Sequence, residues 1–194
     1  MPGLYGKWGI LAIQLYGGLI KRKGLRQTNI YLDGPEATGK TTLAKMLEYE
    51  LHFNYTHLDN SCPNTKEYHE LLMLQNRSVF DRFCLSEVVY SKIYNRVPKL
   101  SFEDCLSIIN GATPGNDLFI ILYTSDISIL KDRLKRRKEY EFLDEIDRQN
   151  KEFITLCNAI KSSGCLTLIT WDIVDGYDDL YNLIRKFIKE REHE

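Results

Sequence analysis

Apolar residues along this chain come in short runs separated by longer polar or amphipathic stretches, and the runs differ in kind. The clearest is DLFIILYT, residues 117–124: a continuous apolar run, as expected of a strand buried on both faces. TNIYLD (28–33), FNYTHL (53–58), SVFD (78–81) and CLTLIT (165–170) also read as strands. The stretches between them carry helical periodicity. They predict helices over 41–51, 65–76, 83–95, 101–110, 126–138, 142–162 and 177–191. Strands that alternate with helices predict an α/β fold: a three-layer α/β/α sandwich on a five-stranded parallel sheet with right-handed crossovers.

Residues 1–27 stand outside that alternation. WGILAIQLYGGLIKRKG is apolar and then basic, but its apolar core is too short to span a bilayer. Lys21, Arg22 and Lys23 follow the apolar part, whereas a secretory signal places its basic residues first. The segment reads as an N-terminal extension, packed or poorly ordered, ahead of a single domain over 28–194. At 194 residues, with 43% hydrophobic and 27% charged residues, the chain suits one soluble globular unit. A net charge of −1 gives no support to general coating of nucleic acid. Cys62, Cys84, Cys105, Cys157 and Cys165 form no close pair, and five is an odd count. They predict thiols in a reducing, cytoplasmic compartment rather than a disulfide framework or a zinc site.

Candidate chemistry starts at DGPEATGKTT, residues 33–42. Gly34, Gly39, Lys40 and Thr41 fit the pattern G-x-x-x-x-G-K-[ST], between a predicted strand and a predicted helix. Glycines let successive backbone N–H groups face one concavity, and the following helix adds the positive end of its dipole. Lys40 can reach the β- and γ-phosphates of ATP, and Thr41 can place its hydroxyl on Mg²⁺. The expected phosphate-binding set is Gly34, Glu36, Ala37, Thr38, Gly39, Lys40, Thr41 and Thr42. Asp33 has two roles open to it: accepting backbone N–H bonds as a cap, or acting as general base or water-mediated support for Mg²⁺. Glu36 either touches the sugar of a phosphoryl acceptor or faces solvent.

SVFDRFCLSEVVY delivers Asp81 and Arg82 to the C-terminal edge of the sheet, where open α/β folds bind ligands. Asp81 can hold Mg²⁺ through water, and Arg82 can neutralise phosphate oxygens in transfer. The plain alternative is a local ion pair. Phe83, Ser86 and Tyr90, spaced by three and four, would share a helical face and could sandwich a base; they could equally be core. In DRLKRRKEYE, Arg133, Arg136 and Arg137 share a face at i, i+3 and i+4. Following the fourth strand, that helix could close over a triphosphate as a lid near 131–145, or simply be solvated. His57 and Asp59, at the end of the second strand, could line the acceptor site.

YLDGPEATGKTTLAKML, DRFCLSEVVY and RLKRRKEYE, in that order, resemble the thymidylate kinase and deoxynucleoside kinase group of P-loop phosphotransferases. The likeness is greatest to compact thymidylate-kinase-like proteins of phage and other large DNA viruses, and it covers about residues 28–190. It implies sheet order 2-3-1-4-5 and ATP- and Mg²⁺-dependent transfer of a γ-phosphoryl group to a nucleotide or nucleoside. By the resemblance Lys40, Arg82, Arg133 and Arg137 are catalytic, with Arg136 a rival of the lid arginines; Asp33 joins them from its place at the end of the first strand. Glu36, Asp81, Arg82, Phe83, Ser86 and Tyr90 meet the acceptor, and Thr41 and Asp81 serve the metal. A homodimer and, for a viral protein, a place in the host cytoplasm are further implications; a membrane partner is not.

The chain also departs from the group. Thymidylate kinases carry an Arg-Glu-Pro-Gly-Gly-like segment after the second strand, where this chain reads THLDNSCPN with no arginine. A helix position that is commonly Gln there is Ser91. The Glu-Pro and Glu-Arg-Ser signatures of deoxynucleoside kinases are absent. The missing arginine, with Asp33 and Glu36 near the phosphates, points toward a hydroxyl acceptor, and the Ser86–Tyr90 helix points back to a phosphate; a deoxynucleoside monophosphate is the first-choice acceptor. The sequence keeps two alternatives: a hydroxyl on a deoxynucleoside or on a modified base in DNA, and a nucleotide-binding module without turnover. A DNA acceptor would need a basic groove, for which residues 21–26 and the lid are the candidates.

Overall fold

The computed structural model describes residues 28–58, 67–68, 70, 72, 76–111, 117–162 and 168–192. The expected N-terminal extension and Asp59 lie outside them. Five strands form one sheet: β1 (Asn29–Asp33), β2 (Asn54–His57), β3 (Ser78–Asp81), β4 (Asp117–Tyr123) and β5 (Leu168–Asp172). They pair in parallel in the order β2-β3-β1-β4-β5, the order that the resemblance implies. Among the described residues, these helices flank them: α1 (Lys40–Leu51), α2 (Cys84–Ile93), α3 (Phe102–Gly111), α4 (Ile127–Arg137), α5 (Ile146–Ser162) and α6 (Tyr177–Glu192). Glu67, Tyr68, Glu70 and Leu72 are helical as well, within the stretch predicted as helix over 65–76.

The two-residue period of β1 sorts the molecule into layers. Tyr31 points to the face covered by α2, α3 and α5, where it packs with Phe80, Phe119 and Ile121 of the neighbouring strands. Its ring stacks on Phe80 at 5.0 Å and on Phe119 at 4.5 Å. Ile30 and Leu32 point to the other face, against Leu43 and Leu47 of α1, Leu130 and Leu134 of α4, and Leu180 and Ile184 of α6. By the same alternation, Asp33 at the end of β1 shares the Tyr31 face. Asp81, paired with Leu32 across the ladder, shares the opposite one. Two carboxylates on adjacent strands therefore serve different layers.

Local signals set several ends. A reciprocal capping box opens α3: Ser101 N donates to Asp104 Oδ2 at 2.9 Å, and Asp104 N to Ser101 Oγ at 3.0 Å. Asp126 caps α4 by accepting from Ser128 N at 3.0 Å, and Lys138 ends it in the left-handed region with φ 62°. Two boundaries differ from the sequence reading. The last strand, expected over 165–170, continues to Asp172, because Trp171 and Asp172 extend the ladder opposite Leu122 and Tyr123; residues 165–167 lie outside the described ones. The long helix expected from 142 starts at Ile146, since residues Tyr140–Phe142 close a 3₁₀ turn first. No described helix is long and apolar enough to cross a membrane.

Glu87 of α2 is buried and takes Arg96 through both oxygens at 2.6 Å, plus the main-chain N–H of Lys99 at 2.9 Å, pinning the loop after the helix. Burial works to raise its carboxyl pKa, but Arg96 and the amide outweigh it and hold the group below its ordinary 4.5. A depressed folded-state pKa stabilises the fold above the unfolded value and is lost as pH falls. Glu87→Gln is therefore expected to cost about 2 kcal/mol at pH 7 in urea denaturation, in line with a lost charge-assisted pair. The gap between the two proteins narrows below pH 4.5, and equal urea midpoints at pH 7 would contradict it.

Candidate active site

The loop between β1 and α1 curls tightly enough that three of its residues take positive φ: Gly34 at 144°, Ala37 at 60° and Gly39 at 81°. Two glycines are sterically required. A Cβ on Gly34 would lie 2.3 Å from Leu122 O of β4, and one on Gly39 would lie 2.5 Å from the Tyr177 hydroxyl. The loop's carbonyls turn backwards and are met by donors from other elements. Lys40 Nζ donates to Gly34 O at 2.9 Å and to Pro35 O at 2.7 Å, with Thr38 Oγ1 at 3.4 Å. Arg133 Nη1 of α4 donates to Ala37 O at 3.0 Å and to the Tyr177 hydroxyl at 2.9 Å. The Tyr177 hydroxyl, from the first residue of α6, donates to Thr38 O. On the amide side, Glu36 N donates to Gln149 Oε1 of α5 at 3.1 Å. No described residue accepts from the amides of Ala37, Thr38 or Gly39. A curled loop with outward N–H groups at a helix N-terminus is an anion cradle.

Lys40 is buried, and that burial lowers its pKa, against the pull of Glu36, Asp81 and Asp33. Thr41 and Thr42 begin α1 and are exposed. Thr41 Oγ1 donates to Asp81 Oδ2 at 2.5 Å; that oxygen also accepts from the Tyr55 hydroxyl at 3.2 Å and lies 3.4 Å from His57 Nδ1. Asp81 Oδ1 is buried with no partner among the described residues. A hydroxyl and a carboxylate with an open oxygen, side by side at the cradle's rim, are hard oxygen donors that fit Mg²⁺. Among the described residues, no group of three or more His, Cys, Asp or Glu side chains forms a closed metal cage.

Asp33 turns the other way. Its Oδ1 accepts from Phe83 N at 2.9 Å, from Ser86 N at 3.2 Å and from the Ser86 hydroxyl, so it caps the N-terminus of α2. Burial pushes its carboxyl up to about 6, against Ser86, the Phe83 amide and Lys40. Ser86 is thereby engaged inward. Phe83 does not join the stripe that its spacing predicts: it precedes the helix in extended backbone with φ −148°. Its ring is 1% exposed, 4.4 Å from the Tyr31 ring and 4.8 Å from that of Tyr68.

The mouth of the site belongs to Glu36, Arg82 and Tyr90. Arg82, held in the left-handed region at φ 73°, donates through Nη2 to Glu36 Oε1 and lies 5.2 Å from the Tyr90 ring centre. The Tyr90 hydroxyl reaches the same Glu36 oxygen at 3.4 Å. Of the arginines on α4, Arg133 braces the loop, Arg137 is exposed 4.0 Å from Glu139, and Arg136 is exposed. The sequence reading missed Tyr177 and Gln149 as loop contacts. The one signal for Gln149 is a polar residue on the apolar face of its helix, between Ile146 and Phe153.

No protein-family model matches the chain, and no curated protein is significantly similar to it. Solved structures do match. The YorR protein from Bacillus subtilis, in complex with phosphorylated GDP, is similar with a TM-score of 0.68 at 23% identity, over 86% of this chain and 98% of that one. Deoxyadenosine kinase from M. mycoides is similar in two states. With products dCMP and a flexible dCDP bound, the TM-score is 0.51 at 15% identity, over 84% of this chain and 98% of that one. With dATP bound it is 0.50 at 16% identity, over 81% and 97%. At these identities the likeness is one of fold: the α/β P-loop kinase fold with its five-stranded parallel sheet.

The two arginines separate by role in stability. Arg133→Ala is expected to lower the stability of the ligand-free protein by about 1–2 kcal/mol, since two acceptors lose their donor. Arg137→Ala should change it by less than about 0.5 kcal/mol, as for an exposed position. Urea denaturation of both variants checks this, and equal effects would remove the brace.

Proposed function

We propose that this protein is a phosphotransferase that moves the γ-phosphoryl group of ATP, with Mg²⁺, to a nucleotide or nucleoside, with a deoxynucleoside monophosphate as its first acceptor. The observation that carries the reading is the cradle itself. Outward amides, a buried Lys40 ammonium and the Thr41–Asp81 pair with its open oxygen converge at the head of α1. The fold shared with YorR and with M. mycoides deoxyadenosine kinase supports it, those proteins being described with phosphorylated GDP and with dCMP, dCDP or dATP.

The residues take roles from their contacts. Lys40 leaves neutral carbonyls, not a carboxylate, when it turns to the β- and γ-phosphates, so little opposes the move. Thr41 and Asp81 would hold Mg²⁺, which when bound offsets phosphate charge and orients the transferring group. Arg82 exchanges Glu36 for phosphate oxygens. Asp33 is a positioning residue: it fixes the start of α2, and so Arg82 beside it. Within the segment 131–145, the part beyond Arg133 serves as the lid, with Arg136 and Arg137 as the arginines that reach the triphosphate.

The state of the carboxylates favours a monophosphate acceptor. A phosphate is already ionised near neutral pH, whereas a hydroxyl acceptor needs a carboxylate free to take its proton. Asp33 is engaged as a cap, and Glu36 is neutralised by Arg82. A hydroxyl acceptor keeps one supporting observation: Glu36 is the carboxylate at the mouth, already within reach of Tyr90. Use of free nucleotides, a cytoplasmic place and a homodimer accompany the first reading.

The test is incubation with γ-labelled ATP, Mg²⁺ and a panel of the four deoxynucleosides, their monophosphates and duplex DNA. Label is expected in a monophosphate, giving a diphosphate product. Label in a nucleoside or in DNA selects the hydroxyl reading, and ATP binding without labelled product selects a binding module. Lys40→Ala should lose transfer by roughly 10²–10³-fold, the scale of removing one preorganised donor to developing charge, while circular dichroism shows the fold retained. Unchanged turnover in that variant would refute the assignment.

A further inference from the structure

Helix α5 sends two neighbouring amides into the C-terminal edge of the sheet, and only one of them is fully paired. Asn150 meets both main-chain groups of Thr124: Nδ2 donates to Thr124 O at 2.8 Å, and Oδ1 accepts from Thr124 N at 3.0 Å. Gln149 makes one bond, accepting from Glu36 N through Oε1 at 3.1 Å. That bond fixes which end of the amide faces the loop, because only the oxygen can accept. Its Nε2 is buried, on a residue that is 0% exposed, and has no acceptor among the described residues. Ile146 and Phe153, one turn to either side on α5, are also fully buried.

An amide donor left dry and unpaired costs about 1–3 kcal/mol. Its surroundings indicate what relieves it. Gln149 holds the main chain of Glu36, whose carboxylate is bonded by Arg82 and Tyr90. The Tyr90 ring in turn packs edge-on against Phe153 at 6.1 Å. The Gln149 amide is thus joined, through the main chain of Glu36, to the Glu36–Arg82–Tyr90 group proposed above to meet the acceptor. We propose that Gln149 is a recognition residue for the phosphoryl acceptor, its Nε2 donating a hydrogen bond to an oxygen of the incoming nucleoside or nucleotide. The oxygen is a base carbonyl or a sugar hydroxyl. The inference rests on the kinase reading above and adds to it a link. One amide binds the acceptor at its nitrogen and the phosphate cradle at its oxygen.

Two variants separate recognition from support. Gln149→Glu keeps an oxygen for Glu36 N and the same shape but has no donor when ionised. Gln149→Met keeps the length and loses both ends. At pH 8, with ATP and the deoxynucleoside or monophosphate that the native chain labels best, Gln149→Glu is expected to raise the acceptor KM about tenfold, with the ATP KM within about twofold. A tenfold change is 1.4 kcal/mol, about one hydrogen bond. Gln149→Met raises both constants. Analogues of that acceptor lacking the 3′-hydroxyl or a base carbonyl locate the oxygen: the one without it loses affinity for the native chain and none for Gln149→Glu. An acceptor KM unchanged in Gln149→Glu, or both constants rising together, overturns the inference and leaves the kinase intact. A native chain that labels no acceptor removes the proposed function and this inference with it.

Discussion

The loop between β1 and α1 turns its carbonyls toward the protein, and the rest of the molecule is arranged around the need to meet them. The carbonyls of Gly34, Pro35, Ala37 and Thr38 each find a donor: Lys40 from α1, Arg133 from α4 and Tyr177 from α6. Left unmet, each would cost about 1–3 kcal/mol, and four together would rival the net stability of a whole domain. The loop therefore binds three helices to one another as much as they hold it. Gly39 is part of the same constraint, since the Tyr177 hydroxyl occupies the space a side chain would need.

The sheet alternation then divides the acids. Asp33 and Asp81 end adjacent strands at the same edge, yet they face opposite layers. Asp33 falls on the α2 side and becomes that helix's cap. Asp81 falls on the α1 side and meets Thr41. Composition treats them as alike; a one-residue difference in register gives one a structural task and leaves the other with an open oxygen at the cradle. The same division explains why the Asp33 carboxyl is pushed up to about 6: it sits in the aromatic layer, where burial dominates.

What could be read from the sequence was whatever is encoded locally. The strand–glycine loop–helix of residues 28–51 is a short-range pattern, and so is the continuous apolar run of β4; both appear as expected. Sheet order came by resemblance to a family, not from the residues. The site was partly legible. Lys40, Thr41, Asp81, Arg82, Glu36 and Tyr90 converge, but Phe83 and Ser86 turn inward because the helix begins one residue later than the spacing assumes. Tyr177 and Gln149 were invisible because their loop contacts join residues 139 and 113 positions apart. No periodicity reports such a pairing. β5 was ended too early because the apolar run CLTLIT outweighed the two residues after it, which the ladder to β4 recruits.

Helix α4 shows how one face can carry two tasks. Arg133, Arg136 and Arg137 lie together by spacing, so the sequence assigns them one role. The structure ties Arg133 to Ala37 O and to the Tyr177 hydroxyl, and leaves the last turn exposed up to a left-handed Lys138. A helix fixed to the phosphate loop at one turn cannot swing over a bound triphosphate as a rigid body without breaking that tie. Any closure over the phosphates has to come from the turn beyond Arg133, where Arg136 and Arg137 make no contact with the loop, and from the short 3₁₀ segment that follows. On the proposed reading, the brace would set where a moving cover begins, and the loop would keep its shape beneath it.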